Sequence, residues 1–462
     1  MTQRTKMIRA ALLTMLACLL GAQSAAASSK QDVFFEAPRD LTAGTATDAT
    51  RAAAFAKLDE LGVRALRVNL RWYDVAPGRD DGAQPAFDAT DPGAYAWGAY
   101  DSVIETAKAK GWKVLISLSS PVPKWATEAK ADNLTRPIPA EFGKFATAAA
   151  RHYGSANVLW SIWNEPNLPR FLLPQAVGGK VVSPTIYRNL FLAGRDGIRA
   201  AGQKTPVLFG ELAPVGGARD TRQYPLSFLR AAFCLSSKDK YDKKCGAKLT
   251  LDGIAHHPYQ FSNGKLNKND VTYRNMSRMI SFLDKAAKAK AINSKVPVYY
   301  TEFGIQSYPD KTLGVSPQRQ YEMRARAERD AYANSRIRGF SQYLLTDDED
   351  LGGFQTGLVY ATGKNKPSFD AFRLTLDVKP TGSGKRKKLS LWGLVRPAAG
   401  KKVNVAIERK VGKRWSKWKT VKTNTLGTFT ASDSYRSSAQ YRYRWTSPTG
   451  KLTSPPSRPY AG

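Results

Sequence analysis
The sequence predicts an α/β fold: a (β/α)8 TIM barrel followed by a small antiparallel β-sandwich domain. Three observations carry this. Short runs of β-branched and aromatic residues alternate with longer helical patterns up to about residue 377, and such alternation implies parallel strands joined by right-handed crossovers. A Pro/Gly/Ser/Lys-rich stretch then intervenes, and beyond it apolar residues recur at every second position, as in a half-buried antiparallel sheet. The 462 residues, 42% hydrophobic and 11% aromatic, supply enough apolar surface for a large core. Wholesale disorder is thereby excluded, and at roughly 150 residues per domain the length suits three domains, or one barrel plus a module.

The chain opens with a segment set apart from the fold. Residues 1–27 hold a basic start (Arg4, Lys6, Arg9), an apolar run from Ala10 to Leu20 and the small-residue end Ala25-Ala26-Ala27. This is the layout of a secretory signal peptide; a single membrane anchor is the alternative, and the run is short for one. No later apolar stretch is long enough to span a membrane. The expected location is extracellular, with cell-wall association as a further option.

The strands fall at 33–35, 65–70, 113–118, 158–163, 206–209, 251–255, 296–300 and 339–345. Helical patterns at 47–61, 94–110, 140–153 and 185–201 stop at Gly62, Gly111, Gly154 and Gly202, where glycine supplies the left-handed conformation that ends a helix. Further helices at 275–290 and 317–335 fill later slots. A barrel over 31–377 accommodates these units. A doubly wound sheet would carry a glycine-rich phosphate loop after its first strand, and Phe34-Phe35-Glu36-Ala37-Pro38 is not one. Residues 378–388 read as a basic linker and 389–462 as the sandwich. There Val403, Val405 and Ile407 alternate with polar neighbours, and Tyr441, Tyr443 and Trp445 alternate with Arg442 and Arg444.

The charge is lopsided: 71 Lys+Arg against 38 Asp+Glu, a net +33. Such a protein prefers polyanions. For an exported chain these are anionic cell-wall polymers rather than nucleic acid, for which no readout motif is present. Residues 381–462 hold 19 Lys+Arg and 2 Asp+Glu, so the C-terminal domain is the expected contact; a solubility or spacer domain is the alternative. Beyond the signal two cysteines remain, Cys234 and Cys245. In an exported chain such a pair is expected to form a disulfide, against the alternative of two free thiols. The histidines are His152, His256 and His257. Neighbours on a strand point to opposite faces, so His256 and His257 cannot share a metal, and no metal site is expected.

In a barrel of this kind the chemistry sits at the C-terminal ends of the strands. The fourth ends Trp163-Asn164-Glu165-Pro166-Asn167 and the seventh Tyr300-Thr301-Glu302-Phe303-Gly304. Each places one carboxylate where an apolar strand meets a loop. Two carboxylates across a barrel mouth suit glycosidic bond cleavage: one protonates the leaving oxygen while the other attacks the anomeric carbon, at a separation of ~5–5.5 Å in the retaining mechanism. No metal or organic cofactor is called for. Two loop salt-bridge partners are the alternative.

Trp163-Asn164-Glu165-Pro166-Asn167-Leu168 resembles the acid/base motif of retaining clan A glycoside hydrolases, families 5 and 39 in particular, and the resemblance extends over most of 31–377. It implies that Glu165 is the general acid/base, that Glu302 is the nucleophile and that Asn164 bonds the sugar 2-hydroxyl. Leu66-Arg67-Val68-Asn69 is similar to the second strand of family 5, which implies that Arg67 supports the nucleophile, a nearby cation favouring an ionised carboxylate. At the sixth strand His257-Pro258-Tyr259 is similar to a His-x-Tyr feature of the family, which implies Tyr259 beside the nucleophile. His257 can face the same way, or else is a buried, bonded core histidine.

Trp125, after the third strand, offers an indole face to a sugar ring, or else is loop core. In place of the histidine family 5 often carries after the third strand stands Ser117-Leu118-Ser119-Ser120-Pro121, and in place of its strand-eight Trp platform Tyr343 or Gln342. The acidic run Asp347-Asp348-Glu349-Asp350 reads as a solvated loop, with a cleft wall or a cation site as alternatives. The expectation is a secreted retaining glycoside hydrolase acting on a poly- or oligosaccharide by double displacement. The alternative is a non-catalytic secreted binder of glycans or anionic wall polymers.

Overall fold
A computed structural model of the chain describes residues 31–217, 221–260 and 265–460; the expected signal, 1–27, lies outside them. Eight parallel strands close into a barrel: β1 (Asp32–Glu36), β2 (Ala65–Arg71), β3 (Lys113–Ser119), β4 (Val158–Ile162), β5 (Val207–Leu212), β6 (Gly253–His256), β7 (Val298–Tyr300) and β8 (Ile337–Tyr343). They pair in chain order, and β8 returns to β1 from Asp32↔Gly339 to Glu36↔Tyr343. The outer helices are α1 (Asp48–Leu61), α2 (Ala99–Ala109), α3 (Pro139–Tyr153), α4 (Ser183–Ala200), α5 (Pro225–Ala232), α6 (Ser277–Lys288), α7 (Pro317–Tyr332) and α8 (Pro367–Arg373).

Local chemistry explains the helix ends. The Thr47 hydroxyl accepts the Thr50 amide at the start of α1, satisfying one of the orphan donors of a first turn. Gly62, Gly111 and Gly202 adopt φ of 77°, 68° and 80°, the left-handed stops expected of them. Gly154 does not: its φ is −56°. A side chain there would collide with Gln203 and with the Ala150 carbonyl, so glycine serves close packing at that position.

The barrel interior is layered. Phe34, Ala65, Leu115, Leu159, Leu208, Ala255 and Tyr299 form a buried apolar cluster contributed by seven strands. Side chains on a strand alternate between faces, so the residue two positions further on also points inward, nearer the C-terminal mouth. Those residues are Glu36, Arg67, Ser117, Ser161, His257 and Thr301, all buried. An apolar plug thus supports a polar layer one step above it. Strand β5 departs from the rule: its pairing with β6 shifts register between Gly210 and Leu212. A bulge of this kind re-aims a side chain, and here it turns Glu211, with φ 68°, into the barrel.

The stretch 378–388, expected as a linker, is instead the end of one strand, a turn and the start of the next. β9 (Leu374–Thr381) continues directly from α8 and pairs antiparallel with β10 (Lys388–Val395), from Leu374↔Val395 to Thr381↔Lys388. The alternation Leu374, Leu376, Val378, all buried, is what draws it into the core. The remaining strands are β11 (Asn404–Val411), β12 (Arg414–Lys422), β13 (Thr428–Ser434), β14 (Tyr441–Ser447) and β15 (Gly450–Thr453). They form sheets β9-β10-β13 and β12-β11-β14-β15, with Val405, Ile407, Tyr441, Tyr443 and Trp445 inward as the alternation requires.

The sandwich sits on the outside of α7. Glu328 of that helix, 1% exposed, pairs with Arg324 at 2.7 Å and with Arg396 of the sandwich at 2.9 Å. Cys234 and Cys245 are bridged, which excludes the free-thiol alternative. Closing a loop of this length stabilises by roughly 3 kcal/mol in the chain-entropy model. Among the described residues no helix is long and apolar enough to cross a membrane.

Candidate active site
The polar layer is organised around one guanidinium. Arg67 on β2 is buried; its Nη1 donates to Glu302 Oε1 at 2.6 Å and its Nη2 to Asn164 Oδ1 at 2.8 Å. It also bonds Glu36 on β1 and, through Nε and Nη2, Glu211 on β5. A planar five-donor fork is suited to holding several acceptors in fixed places. Burial, reinforced by Glu302 and Glu211, holds the Glu36 carboxyl well above the usual range despite Arg67.

Glu165 sits on the turn that leaves β4, with Trp163 at φ 72° and Glu165 itself at φ 40°. Non-glycine residues rarely adopt this region, and the surroundings must hold them there. The Asn164 amide donates to Ser119 Oγ at 3.0 Å, and the Glu165 amide to the Glu211 carbonyl at 2.8 Å. Asn167 staples the turn to the loop after β5, bonding the carbonyls of Ala213 and Gln223 and the Ala213 amide. Burial pushes the Glu165 carboxyl up to about 7, against the opposing fields of Arg67 and Arg170. Asn164 commits its side-chain oxygen to Arg67 and lines the cleft.

Glu302, just beyond β7, has both oxygens engaged: one by Arg67 and the other by the Tyr259 hydroxyl at 3.2 Å. His257 lies beneath both carboxyls, its Nδ1 3.0 Å from Glu165 Oε1 and 3.6 Å from Glu302 Oε2. Burial lowers its pKa to about 4, so the ring is neutral near pH 7.

An open cleft of about 1540 Å³ covers this constellation, lined by Glu165, Glu302, Asn164, Tyr259 and Tyr343 among others. Arg67 and His257 lie beneath it and reach a substrate only through the groups they hold. Trp125 is not at the cleft. It is buried, its indole N–H donates to the Pro77 carbonyl, and its ring packs edge-on against Trp72 and Phe87; an indole enclosed by aromatic core has no face for a sugar. Tyr259, Tyr343 and Phe354 line the cleft in mutual contact, and Tyr100 and Phe171 line it as well. Gln342 is buried and bonded to Arg324 and to backbone carbonyls. The acidic run is only partly solvated: Asp347 is buried against Lys366, and Asp348 lines the cleft.

The sequence reading passed over Glu36 and Glu211. Glu36 carried a usable signal, two residues beyond the inward Phe34. Glu211 carried none, because strict alternation sends it outward.

A group held at about 7 makes a proton donor for neutral pH. With Glu165 as that donor, kcat/KM falls as pH rises through about 7, where Glu165 ionises. A pH–rate profile checks this; an alkaline limb set by some other group would persist unmoved in a Glu165→Gln variant.

The cellulase model, glycosyl hydrolase family 5, matches residues 29–333. No curated protein sequence matches the chain. Among solved structures, a glucosidase from Croceicoccus marinus is similar at 11% identity with a TM-score of 0.53, covering 91% of this chain and 96% of that one. A conserved exported protein from Bacteroides fragilis gives 12% identity and 0.51, covering 89% and 99%. Bacteroides uniformis beta-glucuronidase 2 aligns over 93% of this chain at 12% identity and 0.48, and the chain spans only 46% of its length. At such identities the likeness concerns the fold.

Proposed function
The chain belongs to the cellulase family, glycosyl hydrolase family 5, and on that premise we propose that it is a secreted retaining glycosidase cleaving O-glycosidic bonds of a poly- or oligosaccharide by double displacement. The observation that carries this is the placement of Glu165 and Glu302 over one histidine nitrogen, at 3.0 and 3.6 Å. Glu302 attacks the anomeric carbon while Glu165 gives its proton to the leaving oxygen; the glycosidic C–O bond breaks and a glycosyl ester on Glu302 forms. Glu165, now ionised, takes a proton from water. The hydroxide displaces Glu302, releasing the sugar with its original configuration. Arg67 and Tyr259 hold Glu302 in line, and Asn164 donates to the sugar. Proton NMR of the first-formed product is expected to show the substrate's own anomer; the opposite anomer appearing first refutes double displacement.

Export is supported by residues 1–27 and by the disulfide, which belongs to an oxidising compartment. The sandwich is proposed to hold the enzyme on an anionic wall polymer. Its cationic face is β12, where Arg414, Lys417, Lys419 and Lys422 are exposed. Arg442 and Arg444, which alternate with the inward aromatics of β14, both pair with Glu408 at 2.6 Å and are partly neutralised. Binding of the full chain to an anionic polysaccharide is expected to weaken steeply between 0.1 and 1 M salt, as the screening length falls from ~10 to ~3 Å, and to drop in a Lys417→Glu/Lys419→Glu variant. Salt-insensitive retention, equal on a neutral polymer, removes charge as the anchor.

A further inference from the structure
Four cations line the cleft, Arg39, Arg71, Arg170 and Arg222, and all are arginines although lysine is no rarer in the chain. They fall into two pairs by the strands that carry or precede them. Arg39 and Arg71, from the β1 and β2 side, are engaged by Glu349 at 2.5 Å and Asp74 at 3.4 Å. Arg170 and Arg222, from the loops after β4 and β5, are exposed, and among the described residues neither has a carboxylate in salt-bridge range.

Of the second pair, Arg170 lies near Glu165 and Arg222 lines the same cleft. Arg170 is close enough to that carboxyl to oppose its upward shift, and its loop is pinned by the Trp163 indole, which donates to the Phe171 carbonyl at 2.9 Å. Arg222 adjoins Gln223, whose amide and carbonyl both bond Asn167, two residues after Glu165. The backbone carrying each arginine is therefore tied to the turn that carries the acid.

We propose that the leaving-group side of this cleft is built for an anionic sugar, so that the polysaccharide cleaved bears a carboxylate or sulfate on the unit next to the scissile bond. This rests on the glycosidase reading, which makes Glu165 the group that protonates the leaving oxygen. The unit bound beside Glu165 is then the one being expelled. Two guanidiniums without a protein carboxylate are matched to a planar or tetrahedral oxyanion, which arginine binds bidentately. Leu168 and Pro214, also lining the cleft, supply an apolar surface for the ring itself. An anion docked on Arg170 also cancels a field that favours ionised Glu165, so binding keeps the acid protonated for its first task.

The test compares polymers with identical linkages and different charge. Acidic polysaccharides bearing uronic acids are assayed beside their carboxyl-reduced forms, and sulfated ones beside their desulfated forms. The full-length protein is expected to favour one charged member over its neutral partner by roughly 10- to 100-fold in kcat/KM, as for the loss of a charge-assisted contact. Whichever pair shows it identifies carboxylate or sulfate. In Arg170→Gln/Arg222→Gln the preference is expected to collapse towards unity through a rise in KM on the charged member. Equal or better turnover of the neutral forms overturns the proposal while leaving a glycosidase. No turnover of any polymer, with no activity on a panel of aryl glycosides, overturns the glycosidase reading itself. A preference that survives in the double variant, shown to be folded by circular dichroism, removes these two arginines as its source.

Discussion

Glu302→Gln is expected to lower turnover by at least roughly 10^4-fold on every substrate, the scale on which a covalent mechanism suffers when its nucleophile is removed. The amide retains the size of the carboxyl but can accept from only one of its two donors, Arg67 or Tyr259, so circular dichroism of the variant is run beside the assay to separate lost chemistry from lost folding. Glu165→Gln behaves differently. On a natural glycan it costs about 10^2- to 10^4-fold, the contribution of a positioned acid. On an aryl glycoside with an activated leaving group the first step needs little protonation, and glycosyl-enzyme accumulates. Steady-state rates on the two substrate types, with mass spectrometry of the trapped protein, separate the roles. Near-wild-type turnover of a natural glycan by Glu302→Gln removes the assignment.

Arg67→Met is expected to cost about 3–5 kcal/mol of folding stability as well as activity, because breaking a buried ionic cluster leaves charge uncompensated. Glu36, Glu211 and Glu302 all bond this one guanidinium, and Glu211 is fully buried, with no route to water. Protonating Glu36, which burial already holds well above the usual carboxylate range, relieves part of the repulsion, so the deficit against the wild-type chain shrinks as pH falls. Urea unfolding at several pH values measures this, provided the transition is two-state. A variant as stable as the parent at neutral pH shows that the cluster does not depend on its cation.

How much of this was legible without coordinates depends on how local the determinant was. Each barrel strand is a short apolar run bounded by turn residues, and all eight were placed. The motif around Glu165 and the carboxyl of Glu302 lie at strand ends, where the barrel architecture says to look. Glu36 needed only the period-two count from Phe34. Glu211 depended on a bulge, set by the fit of β5 against β6 rather than by its own neighbours. Trp125 failed for a related reason: nothing near it in the chain foretells that Phe87 and Trp72 close over its ring. The linker was misplaced because Pro380, Gly382 and Gly384 obscured an alternation that had begun at Leu374.

Helix α7 belongs to two cores at once. Its Glu328 is shared between Arg324 and Arg396, and the Phe372 ring lies between the same two guanidiniums, at 4.5 and 3.8 Å. Pulling the sandwich away would leave Glu328 with half its partners and bare an aromatic ring. Barrel and sandwich are therefore one cooperative block rather than beads on a string. A graft of this C-terminal unit onto another barrel must carry its half of that seam or go without it, and trimming it to make a smaller catalyst wounds the very barrel that was to be kept.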